Sequence, residues 1–330
     1  MATTDEAKLD NFTRWLQVNG ADLRGCSIKH CGSSRGYGVY SSETTTPGSN
    51  GILMVVPLDL AITPVTVLQD SPLGNRCREL FKEGDVDDRF LIMLFLTVER
   101  LRMNSPWKPY IDMLPNSFGT PLWFSEEEFS ELKGTPLYRA TIRQKKDLKE
   151  IFDNKVKNLV LEILNDYGAS EGNIQVNFED FLWANSIFWT RALNIPFLRS
   201  YVYPLPLIEG DACSLDHSTS FGDTIPQVLS EISESISHES TDKCTIVRST
   251  YVKEETNVST TPSEDIVWAE GLVPSIDFCN HGSGAKTTWE VDNIGSITGV
   301  STSMYLLSGE QNNSEAEKEI LINYGDRGNE

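Results

Sequence analysis

The 330-residue sequence predicts an α+β protein in which strands and helices are segregated along the chain rather than alternating. Short glycine-punctuated, β-branched segments lie near both ends, over residues 28–64 and again from Gly271 onward, while the stretch between them has helical periodicity. A dinucleotide-binding α/β fold would need alternating strands and helices with a glycine fingerprint at a strand-to-helix turn, and neither pattern occurs.

Leu9, Phe12 and Leu16 recur at helical spacing after Asp5, and Gly20 stops the run, so the chain should open with a short helix. Between Ile28 and Pro64, Gly32, the Gly36-Tyr37-Gly38 loop and the Ile52–Val56 run closed by Pro57 predict short strands and tight turns. Val86 to Met103 is densely apolar and is ended by Pro106, as expected of a mostly buried helix. Ser125 and Glu128 have capping-box spacing, with Gly134 as the stop. The longest helical stretch covers roughly residues 136–167, with Leu148, Phe152, Val156, Leu159 and Ile163 on one side. Another helix runs from about Phe178 to Leu193, entered at Asn177 and ended before Pro196.

Residues 200–265 become rich in Ser, Thr and Glu with weak periodicity, which predicts a mobile insertion. Strands are expected again over residues 287–291, 296–307 and 319–324. The chain thus divides into residues 1–85, a helical part 86–199, the insertion 200–267 and a C-terminal β part 268–330.

A formal net charge of −20 repels phosphate backbones, so the expected partner is a protein with a basic surface and not a nucleic acid. Six cysteines without a C-x-x-C pair read as reduced thiols, and no metal is expected. The longest strongly apolar run, Leu91 to Val98, is far shorter than the roughly 20 residues of a membrane span. Asp5, Glu6 and Asp10 argue against an organellar presequence, so the cytoplasm or nucleus is the expected location. Oligomeric state is not encoded legibly.

Three short motifs carry candidate chemistry. In Arg35-Gly36-Tyr37-Gly38-Val39 two glycines flank an aromatic, which fits either an ordinary turn or close approach of backbone to a ligand. Leu272 to His281 is an apolar approach ending in Asn280-His281, a pair that can satisfy a buried polar ligand or simply stabilise a turn. Glu319 to Gly325 reads as a final strand ending in Tyr324, either packed at a sheet edge or catalytic.

Taken in order, these motifs resemble the SET domain, in the branch typified by the Rubisco large-subunit methyltransferase and the actin-histidine methyltransferase. The resemblance extends to Leu53–Pro57 with Ile62-Thr63, to Trp107–Pro115 with Thr120–Phe124, and to Phe181–Ser186 leading into Thr190-Arg191. It implies small curled sheets, a helical insert between two halves, and a C-terminal segment threaded as a pseudoknot. It also implies S-adenosyl-L-methionine as cofactor, held by Gly36, Tyr37, Gly38, Asn280, His281, Tyr324 and Arg191. Asp277 would lie near cofactor or substrate, and Tyr324 would serve catalysis. The implied reaction is N-methylation of a protein lysine. Protein-histidine methylation and a catalytically silent SET-fold binding protein are the alternatives. The actin-histidine branch has Asn two residues after the pocket Arg; Leu193 stands there, which favours lysine. Relatives carry a basic residue near Tyr40 and often Ser where Gly282 stands, and they continue beyond this point into a helical substrate-binding domain that residues 268–330 do not contain.

Overall fold

A computed structural model of the chain describes residues 4–32, 35–41, 51–82, 86–168, 175–202, 266–309 and 317–325. Helix α1 (Thr4–Val18) buries Phe12 and Leu16 fully and ends at Gly20, whose φ is +89°. Strands β1 (Ser27–His30), β2 (Tyr37–Tyr40) and β3 (Ile52–Pro57) follow, as the β-branched and glycine pattern predicts.

Two helices that the sequence reading did not anticipate come next, α2 (Pro64–Gln69) and α3 (Ser71–Lys82). The readable signal for α2 was the Thr63 cap with Pro64 at the first helical position: Thr63 and Thr66 bond each other's backbone N–H reciprocally. Helix α4 (Asp88–Leu101) is capped by Asp87, which accepts from the Phe90 N–H at 2.8 Å, and is buried over most of its length.

The helical part continues with α5 (Lys108–Ile111), α6 (Glu126–Ser130), α7 (Pro136–Ile151), a π-helical turn (Phe152–Val156), α8 (Lys157–Asp166) and α9 (Phe178–Arg191). The Ser125–Glu128 capping box forms, and residues 136–166 are one continuous helical stretch interrupted only by the π turn. Trp183, fully buried on α9, donates its indole N–H to the Pro115 carbonyl at 2.8 Å, with the Arg100 guanidinium over its ring at 4.3 Å.

After α9 the sequence reading placed no strand, but β4 (Leu193–Leu198) pairs rung for rung with β5 (Ile266–Gly271). The Pro196 that ends the expected helix is tolerated because, among the described residues, this sheet has two strands, so one edge of β4 has no ladder partner to which the missing N–H would donate. Helix α10 (Arg199–Val202) and the first residues of β5 fall inside the stretch 200–267 expected as an insertion, of which residues 203–265 lie outside the described residues.

The C-terminal part contains β6 (Asn280–His281), β7 (Thr288–Asp292), β8 (Ser303–Leu307) and β9 (Glu319–Ile322). The strand expected over 296–307 is shorter than its pattern suggested. Asp292 accepts hydrogen bonds from the backbone N–H groups of Gly295, Ser296, Ile297 and Thr298, which folds residues 293–302 into a loop. Among the described residues three sheets result: β1-β2-β9-β6, β3-β8-β7 and β4-β5. Among the described residues no helix is long and apolar enough to cross a membrane.

Candidate functional site

The site is built by where the last strand goes. β9 enters the first sheet between β2, to which it is antiparallel, and β6, to which it is parallel. Its register sets Ile320 beside Val39, Glu319 beside Tyr40, and Leu321 beside Asn280. One short strand thereby draws the glycine loop, Asn280-His281 and Tyr324 into a single sheet although they lie far apart in the chain. Ile320 and Ile322 are buried, which fixes that register by placing alternate side chains in the core.

At the centre of this convergence the Asn280 side-chain amide donates to Glu319 Oε1 at 2.8 Å and, at longer range, to the Tyr37 carbonyl at 3.4 Å. Glu319 Oε2 accepts from Arg35 at 3.0 Å, so the carboxylate ties the glycine loop to the Asn280 strand. Gly38 is required for this closeness: a Cβ there would lie 2.6 Å from Cys31 Sγ and 2.9 Å from both Asn280 Nδ2 and Glu319 Oε1. Gly36 has a φ of +66°, and a Cβ there would meet nothing within 4 Å among the described residues. The first glycine therefore faces open space, and the second allows protein groups to pack. Tyr40 and Cys31 lie 3.2 Å apart; that hydrogen bond, with burial, pushes the Tyr40 hydroxyl up to about 12.

Tyr324 donates its hydroxyl to the Cys279 carbonyl at 2.7 Å, and its backbone N–H donates to His281 Nδ1 at 3.2 Å. The two rings are 5.2 Å apart, and Tyr324 keeps 38% of its surface exposed.

Behind this surface lies a buried polar group. Arg191, at the end of α9, donates to the Asp277 carbonyl at 3.0 Å, lies 3.6 Å from Asp277 Oδ2, and stacks over Phe278 at 4.6 Å. Tyr110, fully buried, donates its hydroxyl to Asp277 Oδ2 at 2.6 Å. Burial raises the Asp277 carboxyl from the usual 3.8 to about 6, against the opposing pull of the Arg191 charge and the Tyr110 hydrogen bond. Phe278 contacts Tyr37 edge-on at 6.3 Å, which links this group to the glycine loop. Asp277 is thus a buried anchor for Arg191. Leu193 is buried as the first residue of β4, paired with Gly271.

Of the residues singled out from the sequence, Gly36, Tyr37, Gly38, Asn280, His281 and Tyr324 meet on the β2-β9-β6 edge. Asp277, Arg191 and Phe278 form the layer behind it. Glu319 and Tyr110 were missed. Glu319 gave no signal, because a carboxylate opening a strand reads as a solvated end, and Tyr110 lies 167 residues from Asp277.

The residues present fit a ligand such as S-adenosyl-L-methionine. Backbone at Gly36 is approachable, His281 and Tyr324 are exposed beside a half-buried Asn280, and Asp277 Oδ1 is buried without a hydrogen-bond partner among the described residues.

No protein-family model matches the sequence. Over 187 residues, 56% of this chain, it is 31% identical to the [fructose-bisphosphate aldolase]-lysine N-methyltransferase, chloroplastic, of Arabidopsis thaliana, covering 35% of that protein. The chloroplastic ribulose-1,5 bisphosphate carboxylase/oxygenase large subunit N-methyltransferase of Pisum sativum is 30% identical over 186 residues, 56% of this chain and 35% of that one. The actin-histidine N-methyltransferase of Otolemur garnettii is 25% identical over 209 residues, 59% of this chain and 32% of that one. The chain therefore spans about a third of the length of the curated relatives it matches.

Among solved structures, the SET domain of LSMT bound to lysine and AdoHcy superposes with a TM-score of 0.59 at 19% identity, over 98% of this chain and 55% of that chain. Rubisco LSMT bound to AdoMet gives 0.57 at 18% identity, over 97% and 53%. The chain has the SET-domain fold, and its sequence is similar to the branch of SET-domain methyltransferases that includes the Rubisco large-subunit and actin-histidine enzymes.

Proposed function

We propose that this chain transfers a methyl group from S-adenosyl-L-methionine to a lysine side chain of a protein substrate. The observation that carries the reading is the meeting of Gly36–Gly38, Asn280-His281 and Tyr324 around one strand, β9. Gly36, Tyr37, Gly38, Asn280, His281 and Arg191 hold the cofactor, and Tyr324 acts at the reacting atoms.

When bound, the cofactor supplies a methyl carried on a cationic sulfur, moved by in-line displacement: the amine lone pair forms the new C–N bond and the C–S pair leaves with sulfur. The chain's own task is alignment, which can supply several kcal/mol of the barrier reduction. A lysine of pKa about 10.4 must arrive neutral, and apolar surroundings beside a positive charge favour that form. The Tyr324 hydroxyl, directed at the Cys279 carbonyl, marks where a neutral amine is oriented by oxygen acceptors.

Leu193, buried and apolar, supports lysine over histidine as the acceptor. The net charge of −20 supports a substrate with a basic surface. Free thiols at Cys26, Cys31, Cys77 and Cys279 support a reducing compartment, which we take as cytoplasm or nucleus.

The test is incubation of the purified chain with tritiated S-adenosylmethionine and cell extract, followed by acid hydrolysis of labelled protein. Labelled methyllysine is the expected product. Methylhistidine would transfer the assignment to the histidine branch. Cofactor binding without label in protein would favour a silent SET-fold binding protein.

A further inference from the structure

The geometry points to Glu319 as a positioning residue that sets the orientation of the Asn280 amide, so that its oxygen is offered to the ligand while its nitrogen is held inside the protein. This inference rests on the cofactor-binding reading of Asn280 given above.

An asparagine amide can be turned over at little steric cost, because its oxygen and nitrogen have nearly the same size. What decides between the two orientations is the chemistry of its neighbours. A carboxylate only accepts, so Glu319 Oε1 at 2.8 Å requires the NH2 group of Asn280 to face it. The Tyr37 carbonyl at 3.4 Å stands on the same side and makes the same demand, while Cys31 Sγ at 3.7 Å, which can donate or accept, is compatible with it. Asn280 Oδ1 is then directed away from the glycine loop, and no partner holds it among the described residues. It is available to a hydrogen-bond donor of the ligand.

Glu319 is itself held. Its side chain is 17% exposed, and Arg35 takes the second oxygen at 3.0 Å. Gly38 leaves the space that the carboxylate occupies, since a Cβ there would lie 2.9 Å from Glu319 Oε1. The carboxylate therefore does more than bridge two strands. Charge-assisted hydrogen bonds are roughly twice as strong as neutral ones, which suits a contact meant to hold an amide in one sense.

The test is calorimetric titration of the full chain with S-adenosylhomocysteine, with thermal melts of each ligand-free variant. Glu319→Ala is expected to weaken binding about tenfold or more. A merely structural role would be served by any side chain that keeps the fold, so the decisive variants exchange polarity. Asn280→Asp sets two carboxylates against each other and should lose binding. Combining it with Glu319→Gln restores one donor facing one acceptor, with an oxygen still offered outward, and should recover affinity to within about threefold of wild type.

Recovery by the double variant supports the inference, even if Glu319→Ala proves unstable. A double variant that folds but binds no better than Asn280→Asp overturns it, as does Glu319→Ala that binds like wild type. Failure of wild type to bind at all would instead overturn the cofactor reading on which the inference rests.

Discussion

Tyr324 reaches across 45 residues of chain to donate its hydroxyl to the Cys279 carbonyl at 2.7 Å. Both ends of that bond flank the Asn280-His281 pair, so the hydroxyl sits at the junction of the proposed cofactor and substrate sites. Tyr324→Phe removes the hydroxyl and keeps the ring against His281. The expected result is a drop of about a hundredfold in kcat with S-adenosylhomocysteine affinity unchanged within about threefold. Radiolabel transfer and calorimetry on the same preparation separate the two.

Gly38→Ala tests the packing between the glycine loop and Asn280. The added methyl would lie 2.6 Å from Cys31 Sγ and 2.9 Å from Asn280 and Glu319, so those groups must shift. Overpacking of this kind costs about 1–3 kcal/mol, and cofactor affinity should fall at least tenfold. Gly36→Ala meets no atom of the described residues and should be milder, its cost coming from the φ of +66°. Equal effects at both positions would contradict the division of roles between them.

Asp277 gives a pH signature. Its carboxyl is raised by burial from 3.8 to about 6, so the folded chain holds this proton more tightly than the unfolded chain. Its contribution to stability is therefore fully present below about 4 and is lost as pH rises through about 6. Urea unfolding of wild type and Asp277→Asn between those limits should show the variant gaining relative to wild type as pH rises. A constant difference across the range would place the titration elsewhere.

Tyr110→Phe removes the hydroxyl that Asp277 Oδ2 accepts at 2.6 Å in a fully buried setting. Leaving a buried acceptor unmade costs about 1–3 kcal/mol, which should appear as a lower Tm. Because Asp277 also holds Arg191, cofactor affinity should fall with it.

Much of the fold was legible because local rules agree with the global answer. The capping box at Ser125 and the stops at Gly20 and Gly134 do in the structure what their chemistry suggests. Strand β4 was not anticipated, because Pro196 was read only as the end of the preceding helix, and among the described residues it sits in a two-stranded sheet with an open edge. The 296–307 strand failed because one carboxylate, Asp292, supplies enough acceptors to hold a loop that the β-branched pattern did not reveal. In the site, the residues that line the edge were legible as motifs. Glu319 and Tyr110 were not, since their roles depend on partners that only the sheet order and the packing of α5 bring near.

The most direct measurement of the central claim is calorimetric titration of the purified chain with S-adenosylhomocysteine, wild type against Asn280→Ala. The account predicts saturable one-to-one binding by wild type and a loss of at least tenfold in the variant, with ligand-free melting curves little changed. Binding that is absent in wild type, or present and insensitive to Asn280, would contradict it.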